Sequence, residues 1–420
     1  MKILWVCNMM LPMIAKELEI QASVKEGWLS GLAHQIVMSE KEMDFHVAFP
    51  YYEAIDKITG DIHSYGFREN QTTPECYSKE AYDDLYQIVK KAKPDVIHVF
   101  GTEYPHTLMC IEIARQLKIE GRVLIGIQGV MGKIAESYMA GLPDKVIGRR
   151  TLRDILKKDS LIEQKCKFEK RAGYEAQAIK LAVNITGRTS FDKEENEKLN
   201  PNLKYFKMNE TLRSEFYEGE WKLDECIPHS IFMSQGNYPL KGAHIAIEAL
   251  AKLREKYPDA TLNIAGDDIT RYKTLKEKIK ISSYGKYLRE LINKNNLQDA
   301  VCFLGSCSAE KMKESYLKTH VFLCASAMEN SPNSVGEAML LGTPVVSSFV
   351  GGIKDVLEPE TEGLYYTWDS TEELVTQISK VFDDEEQTLE RTERAKKHAA
   401  VTHCGVSNFN RLIEIYENIG

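Results

Sequence analysis

No stretch of this 420-residue chain approaches the roughly 18–20 uncharged apolar residues that span a bilayer, so no transmembrane helix is expected. The opening MKILWVCNMMLP is apolar but short and lacks a small-residue cleavage site, so it reads as a first buried strand rather than a leader. No CxxC pair occurs among the nine scattered cysteines. Cys302 and Cys307 sit five apart in a strand and turn, which does not suit zinc, and Cys7, Cys110 and Cys324 lie in apolar runs as buried thiols. A reducing cytoplasm is the expected compartment. An excess of basic charge is also missing: 54 Lys+Arg against 62 Asp+Glu gives −8, which argues against a general nucleic-acid partner. With 43% hydrophobic and 28% charged residues the chain is ordinary and globular, excluding disordered and collagen-like classes.

What is present is alternation. Short apolar runs separated by longer amphipathic stretches predict parallel sheets flanked by helices. Strand-like runs fall at 2–7, 45–49, 96–100, 123–127, 182–186 and 205–208. The series then resets at 231–234, 261–265, 301–304, 321–325 and 345–348. Between them EFYEGEWKLDECIPHS, charged and broken by Gly219 and Pro228, reads as a linker. The expectation is two Rossmann-like doubly wound α/β domains, one over 1–218 and one over 226–400, with a C-terminal helix at about 402–420 returning to the first. Open α/β sheets bind ligands at the carboxyl ends of their strands.

One segment departs from the pattern. Residues 145–171 carry ten Lys/Arg against four acids, with Val146, Ile147, Leu152, Ile155, Leu156, Leu161 and Ile162 interleaved. Such a run is ordinarily a solvated helix face. Read more sharply, it is a surface for peripheral contact with an anionic membrane, at the inner face of the plasma membrane, or for a phosphorylated acceptor.

The chemistry concentrates in residues 326–352, SAMENSPNSVGEAMLLGTPVVSSFVGG. A buried strand ends at Ser326, a polar loop carries Glu329, Asn330 and Asn333, and a helix beginning near Ser334 stops at Gly342 and Pro344. A helix start offers amide N–H groups and a partial positive charge, which suits a phosphate. Carboxylates suit the hydroxyls of a ribose or hexose. Ser334-Val335-Gly336-Glu337 is also an S-x-x-E capping box, which would give Glu337 a purely local role. That reading leaves Glu329, the polar loop and the Gly351-Gly352 pair unexplained.

Glu329-x7-Glu337 followed by EAMLLGTPVV and GG resembles the signature of retaining GT-B glycosyltransferases of the GT4 type, the glycosyl transferases group 1. The resemblance implies a GT-B fold and a nucleotide-diphosphate sugar donor, UDP- or GDP-linked, with no metal and no cofactor. It assigns Glu329 to the transferred sugar, Glu337 to the ribose, and the backbone around Asn330, Asn333 and Ser334 to sugar and diphosphate. In FMSQGNYPLKG it places Gly236, Asn237 and Lys241 at the diphosphate, making Lys241 and Glu329 the catalytic pair. The arginine that usually precedes the lysine is absent, and Arg271 or Lys273 are the nearby cations that could replace it.

The first half matches in outline only. Gly27, in Glu26-Gly27-Trp28, stands for the family's glycine loop near the diphosphate. His98 and Glu103 on and after DVIHVF, Gln128 after VLIGIQ, and Arg188 in TGRTSFD are the acceptor-side candidates, with His106 weaker. His98 lies inside an alternating strand and reads equally as a core histidine, and Gln128 replaces the usual histidine and cannot act as a base. Asp267-Asp268 reads as a turn rather than a metal-binding pair. The expected activity is sugar transfer to a hydroxyl of a glycan or lipid-linked acceptor in bacterial cell-surface polysaccharide synthesis. The rival readings are a non-catalytic sugar-nucleotide-binding subunit that steadies a partner glycosyltransferase, an epimerase or a phosphorylase.

Overall fold

The computed structural model describes residues 1–20, 27–39, 42–70 and 72–419. The chain divides into two compact units. The first comprises Met1–Gly132, Phe168–Arg213 and Thr402–Gly420, and the second Lys133–Lys167 and Ser214–Val401.

In the first unit eight strands form one sheet: β1 (Lys2–Val6), β2 (Asp44–Tyr51), β3 (Ile55–Thr59), β4 (Ile62–Arg68), β5 (Val96–Phe100), β6 (Val123–Gly126), β7 (Asn184–Gly187) and β8 (Lys204–Lys207). Their order is β3-β4-β2-β1-β5-β6-β7-β8, and only the β3–β4 pair is antiparallel. The central strands β1 and β5 are covered on both faces, which is why they read as unbroken apolar runs. The β3–β4 hairpin has no counterpart among the apolar runs of the sequence. It turns at Gly60, and exposed Asp56 and Lys57 guard its edge, so its sequence is too polar to signal a buried strand. Helix Lys79–Ala92 shows the amphipathic logic of the layers, burying Ala81, Leu85, Ile88, Val89 and Ala92 along one stripe.

The terminal helix Gly405–Ile419 joins this unit, as the pattern suggested, and buries Leu412, Ile413, Ile415 and Tyr416 in a core shared with Trp5 and Phe45. Trp5 Nε1 donates to the Tyr416 hydroxyl at 2.9 Å, and that hydroxyl lies 2.7 Å from His98 Nδ1. An indole can only donate, so the phenol accepts from Trp5 and donates to His98. Burial depresses the His98 pKa to about 3, keeping the ring neutral and able to accept at Nδ1. Its proton then sits on Nε2.

The second unit holds six parallel strands: β9 (Ile227–Met233), β10 (Thr261–Ile264), β11 (Val301–Phe303), β12 (Thr319–Cys324), β13 (Val345–Ser348) and β14 (Leu364–Tyr366), ordered β11-β10-β9-β12-β13-β14. Three-residue β14 has no counterpart among the apolar runs, although the equally short β11 does. Two boundaries differ from the sequence expectation. Residues 133–167, assigned above to the first domain, belong to the second unit, where Leu142, Val146 and Leu161 enter its core. Asp154 Oδ2 accepts the Ser283 amide at 3.0 Å, and Arg149 pairs with Glu290 at 2.9 Å. The supposed linker is also structured: Phe216 is fully buried edge-to-face on Tyr316, and Trp221 Nε1 donates to the Thr319 carbonyl at 2.7 Å.

Helix Leu161–Leu181 carries Glu175 into the first unit's interior, where its carboxyl accepts Thr102 Oγ1 at 2.5 Å and the Met131 amide at 2.8 Å. Burial raises its pKa from 4.5 to about 7, with the Thr102 hydrogen bond working against that shift. An acid with a raised pKa binds more proton folded than unfolded, so the stability it contributes falls as pH rises from 4.5 to about 7. Glu175→Gln is expected to flatten this part of the stability–pH profile and to raise the melting temperature above neutrality relative to the unmodified chain. A wild-type profile that does not fall over this window would contradict the assignment. Tyr416→Phe strands the buried Trp5 N–H and is expected to cost about 1–3 kcal/mol in denaturant unfolding followed by tryptophan fluorescence.

Candidate functional site

β9 and β12 are adjacent and parallel, so the loops leaving their carboxyl ends are neighbours although 88 residues separate their key side chains. After β9 the chain runs through Gly236 and Asn237 into a short 3-10 turn, Pro239–Lys241, and on into helix Ala243–Lys256. Gly242 sits at φ +71, and a Cβ there would lie 1.9 Å from the Ala325 carbonyl oxygen. No other residue fits that approach. The Ala327 amide donates to the Leu240 carbonyl at 2.7 Å, tying the two loops together.

Lys241 and Glu329 meet in this junction. The ammonium donates to Glu329 Oε1 at 2.5 Å, and Ser326 Oγ donates to the same oxygen at 2.6 Å. Their side chains are 21% and 13% exposed, so the pair is shielded yet reachable. Burial alone would lower the Lys241 pKa, but the carboxylate of Glu329 outweighs it, and the group is held well above its ordinary value. It is therefore a permanent cation. Gly351 presses on the same loop from β13: at φ +53, a Cβ on it would stand 2.0 Å from the Glu329 carbonyl oxygen, which instead accepts the Gly352 amide at 3.1 Å.

Helix Asn333–Leu341 starts one residue earlier than expected, with Pro332 at the N-cap and no side-chain cap. The capping box is not made. Asn333 and Ser334 occupy the first two helical positions, whose amides lack intrahelical acceptors by geometry. Glu337 is buried one turn on and accepts the Tyr316 hydroxyl at 3.3 Å, while Gly342 closes the helix in the left-handed region as predicted. Asn330 is buried beside Glu329 in the same loop. Ser326 and Tyr316, which hold the two glutamates, were not singled out in the sequence. Nothing local to them signals a partner.

Asn237 leaves its buried Oδ1 without a hydrogen-bond partner and lines a cavity of about 670 Å³ with Arg153, Asp268, Arg271, Lys276 and Tyr284. Arg271 stands 3.7 Å from Asp268, and both it and Lys273 are exposed. Asp268 Oδ1 accepts the Thr270 amide at 2.9 Å, the Asx turn expected of Asp267-Asp268.

The first-unit candidates fall into two groups. His98, Gln128 and Arg188 line one cavity of about 20 Å³, enough for a water and far too small for a sugar. His98 is the buried core residue of its alternative reading, and its Nε2 has no protein partner. Arg188 is committed to Glu210 at 2.7 Å, inside the unit. Glu103 lies apart, accepting Asn8 Nδ2 at 3.0 Å, while Asn8 Oδ1 is 3.0 Å from His106 Nε2. Gly27 opens helix Gly27–Val37, and Glu26 before it lies outside the described residues.

Residues 227–398 match the family described as Glycosyl transferases group 1. The chain is 27% identical over 188 residues to the putative glycosyltransferase YtcC of Bacillus subtilis, an alignment covering 43% of each chain. It thus spans under half the length of that curated relative. Among solved structures, sucrose-phosphate synthase from Thermosynechococcus elongatus superposes with a TM-score of 0.70 at 13% identity, covering 100% of this chain and 99% of that one. Anabaena HepE, solved in complex with UDP-glucose, gives 0.66 at 14% identity with both chains fully covered. At such identities the likeness concerns the fold, which is that of the GT-B glycosyltransferases. The family match spans both loops that hold Lys241 and Glu329, so the likeness to the glycosyl transferases group 1 family falls on the second unit and includes the site.

Proposed function

We propose that the chain is a metal-independent, retaining glycosyltransferase that takes a nucleotide-diphosphate sugar and transfers the sugar to a hydroxyl of a glycan or lipid-linked acceptor in cell-surface polysaccharide synthesis. The observation that carries this reading is the Lys241–Glu329 pair beside the start of helix Asn333–Leu341. A fixed ammonium and a helix N-terminus converge where a diphosphate would need neutralising, with acidic side chains adjacent for hydroxyls. The HepE complex makes UDP-glucose the first donor to try.

On this reading Lys241 and the amides of Asn333 and Ser334 hold the diphosphate. Glu329 accepts hydroxyls of the transferred sugar and Glu337 those of the ribose, with Gly236 and Asn237 completing the donor side. The bond between the anomeric carbon and the diphosphate oxygen breaks as the acceptor oxygen bonds on the same face. The acceptor's proton passes to the departing diphosphate. The transition state gathers negative charge on that leaving group, so positive potential fixed beforehand lowers the barrier.

Lys241→Ala is expected to lower turnover about 10²–10³-fold, the scale for one preorganised charge-stabilising donor; a loss under about threefold in a folded variant would sink the assignment. The assay is nucleoside diphosphate release from UDP-, GDP- and ADP-sugars, and a binding-only subunit would release none. Glu337→Gln is expected to weaken nucleotide affinity about tenfold in calorimetric titration. Unchanged affinity with a lowered melting temperature would leave Glu337 only its structural bond to Tyr316.

A further inference from the structure

The basic segment is not uniform once folded. Arg153 and Lys167 both pair with Asp159, Arg149 pairs with Glu290, and Arg171 stacks on Tyr104 and Phe168. These charges are spent inside the protein. A different part stays uncommitted. In helix Leu152–Lys157, Leu152, Ile155 and Leu156 are 52%, 58% and 71% exposed, although a helix buried against its own protein would hide such residues.

A second short helix, Leu275–Lys280, lies against the first, and it repeats the pattern with Leu275 75% and Ile279 41% exposed. On these helices and just beyond the first stand Lys157, Lys158, Lys276, Lys278 and Lys280, all exposed and, among the described residues, with no carboxylate partner, against the single half-buried acid Glu277 of the second helix; Lys276 and Lys280 also line the neighbouring cavity. The two helices are more than a hundred residues apart in sequence, and only the fold makes them one surface. An apolar patch of this size rimmed by cations of one sign has two physical demands. Its leucines and isoleucines need a non-aqueous phase, and its ammonium groups need anions.

We propose that the face formed by helices Leu152–Lys157 and Leu275–Lys280 docks the protein onto an anionic membrane. Leu152, Leu156, Leu275 and Ile279 enter the boundary between headgroups and acyl chains, and the lysines meet the lipid phosphates. A lipid bilayer satisfies both demands at once, whereas a nucleic acid would leave the apolar side chains in water. The surface narrows the expectation that the whole of residues 145–171 contacts lipid: beyond Asp159, Lys167 and Arg171 are taken up by protein partners, and the Leu275–Lys280 helix supplies the second half of the face. No membrane span is implied, since no helix among the described residues is long and apolar enough to cross one.

The test is sedimentation of the full chain with vesicles of phosphatidylglycerol and phosphatidylcholine, against vesicles of phosphatidylcholine alone, without any sugar nucleotide. Binding is expected only to the anionic vesicles. Lys157→Glu/Lys278→Glu is expected to weaken it by at least about tenfold, each lysine near the surface contributing several-fold. Leu156→Ser/Leu275→Ser, at fully accessible positions where folding is undisturbed, is expected to weaken it about tenfold as well. Binding that survives the leucine changes intact, or that ignores lipid charge, overturns the proposal. So does a dimer in solution that the leucine changes dissolve, which would make this face a contact between copies of the chain. Because the assay contains no donor, its failure leaves the glycosyl-transfer reading untouched.

Discussion

The arrangement of the second unit depends on one buried-edge ion pair, Lys241 with Glu329. Two parallel strands lying side by side bring their exits together, but neighbouring loops need a reason to stay in one geometry. Here the ammonium, the carboxylate and the Ser326 hydroxyl meet at a single oxygen, and the Ala327–Leu240 backbone bond and the Gly351 contact hold the frame around them. A shielded pair of opposite charges compensates its own desolvation, whereas either member alone would be a costly isolated charge. Under the proposed function an arriving diphosphate competes with Glu329 for the same ammonium. A polyanion can offset the loss of that pair while a neutral sugar cannot, which couples charge recognition to the freeing of Glu329 for the sugar's hydroxyls.

The first unit shows a contrasting use of polar groups. Trp5, Tyr416 and His98 form a hydrogen-bonded chain in the core that fastens the last helix to the first strand, and Arg188 with Glu210 makes a second buried commitment. Polar groups so deeply spent are structural determinants. A further polar cluster lies at the ends of β1 and β5, where Asn8 links Glu103 and His106, and buried Glu175 accepts the Thr102 hydroxyl and the Met131 amide.

The basic segment illustrates how a charge run divides on folding. Arginines and lysines that reach an acid across a helix turn or a neighbouring helix become part of the packing, as Arg149 and Arg153 do. Lys157 and Lys158, at the end of Leu152–Lys157, find none among the described residues and remain a surface property. The count along the sequence was right, but the sign and extent of the exposed patch follow from which side chains found partners.

Much of this protein was legible in the amino-acid sequence. Doubly covered strands are largely apolar in their central residues, so β1, β5, β6, β9, β12 and β13 announced themselves. The polar loop between a buried strand and a glycine-terminated helix, with Glu329 and Glu337 in it, marked the candidate site because such chemistry is local in the chain. The tertiary structure alone decided the rest. The edge hairpin β3–β4 satisfies its backbone by pairing rather than by burial, which leaves little hydrophobic signal. An amphipathic stretch such as 133–167 declares that one face is covered but not by which unit, and the same ambiguity hid Phe216 and Trp221 in an apparent linker. Glu337 was freed from its capping role because the N-cap falls at Pro332, two residues before Ser334. Lys241 found Glu329, and Leu156 joined Leu275 on one face, only because strand order and helix packing close distances that no local interaction along the chain can measure.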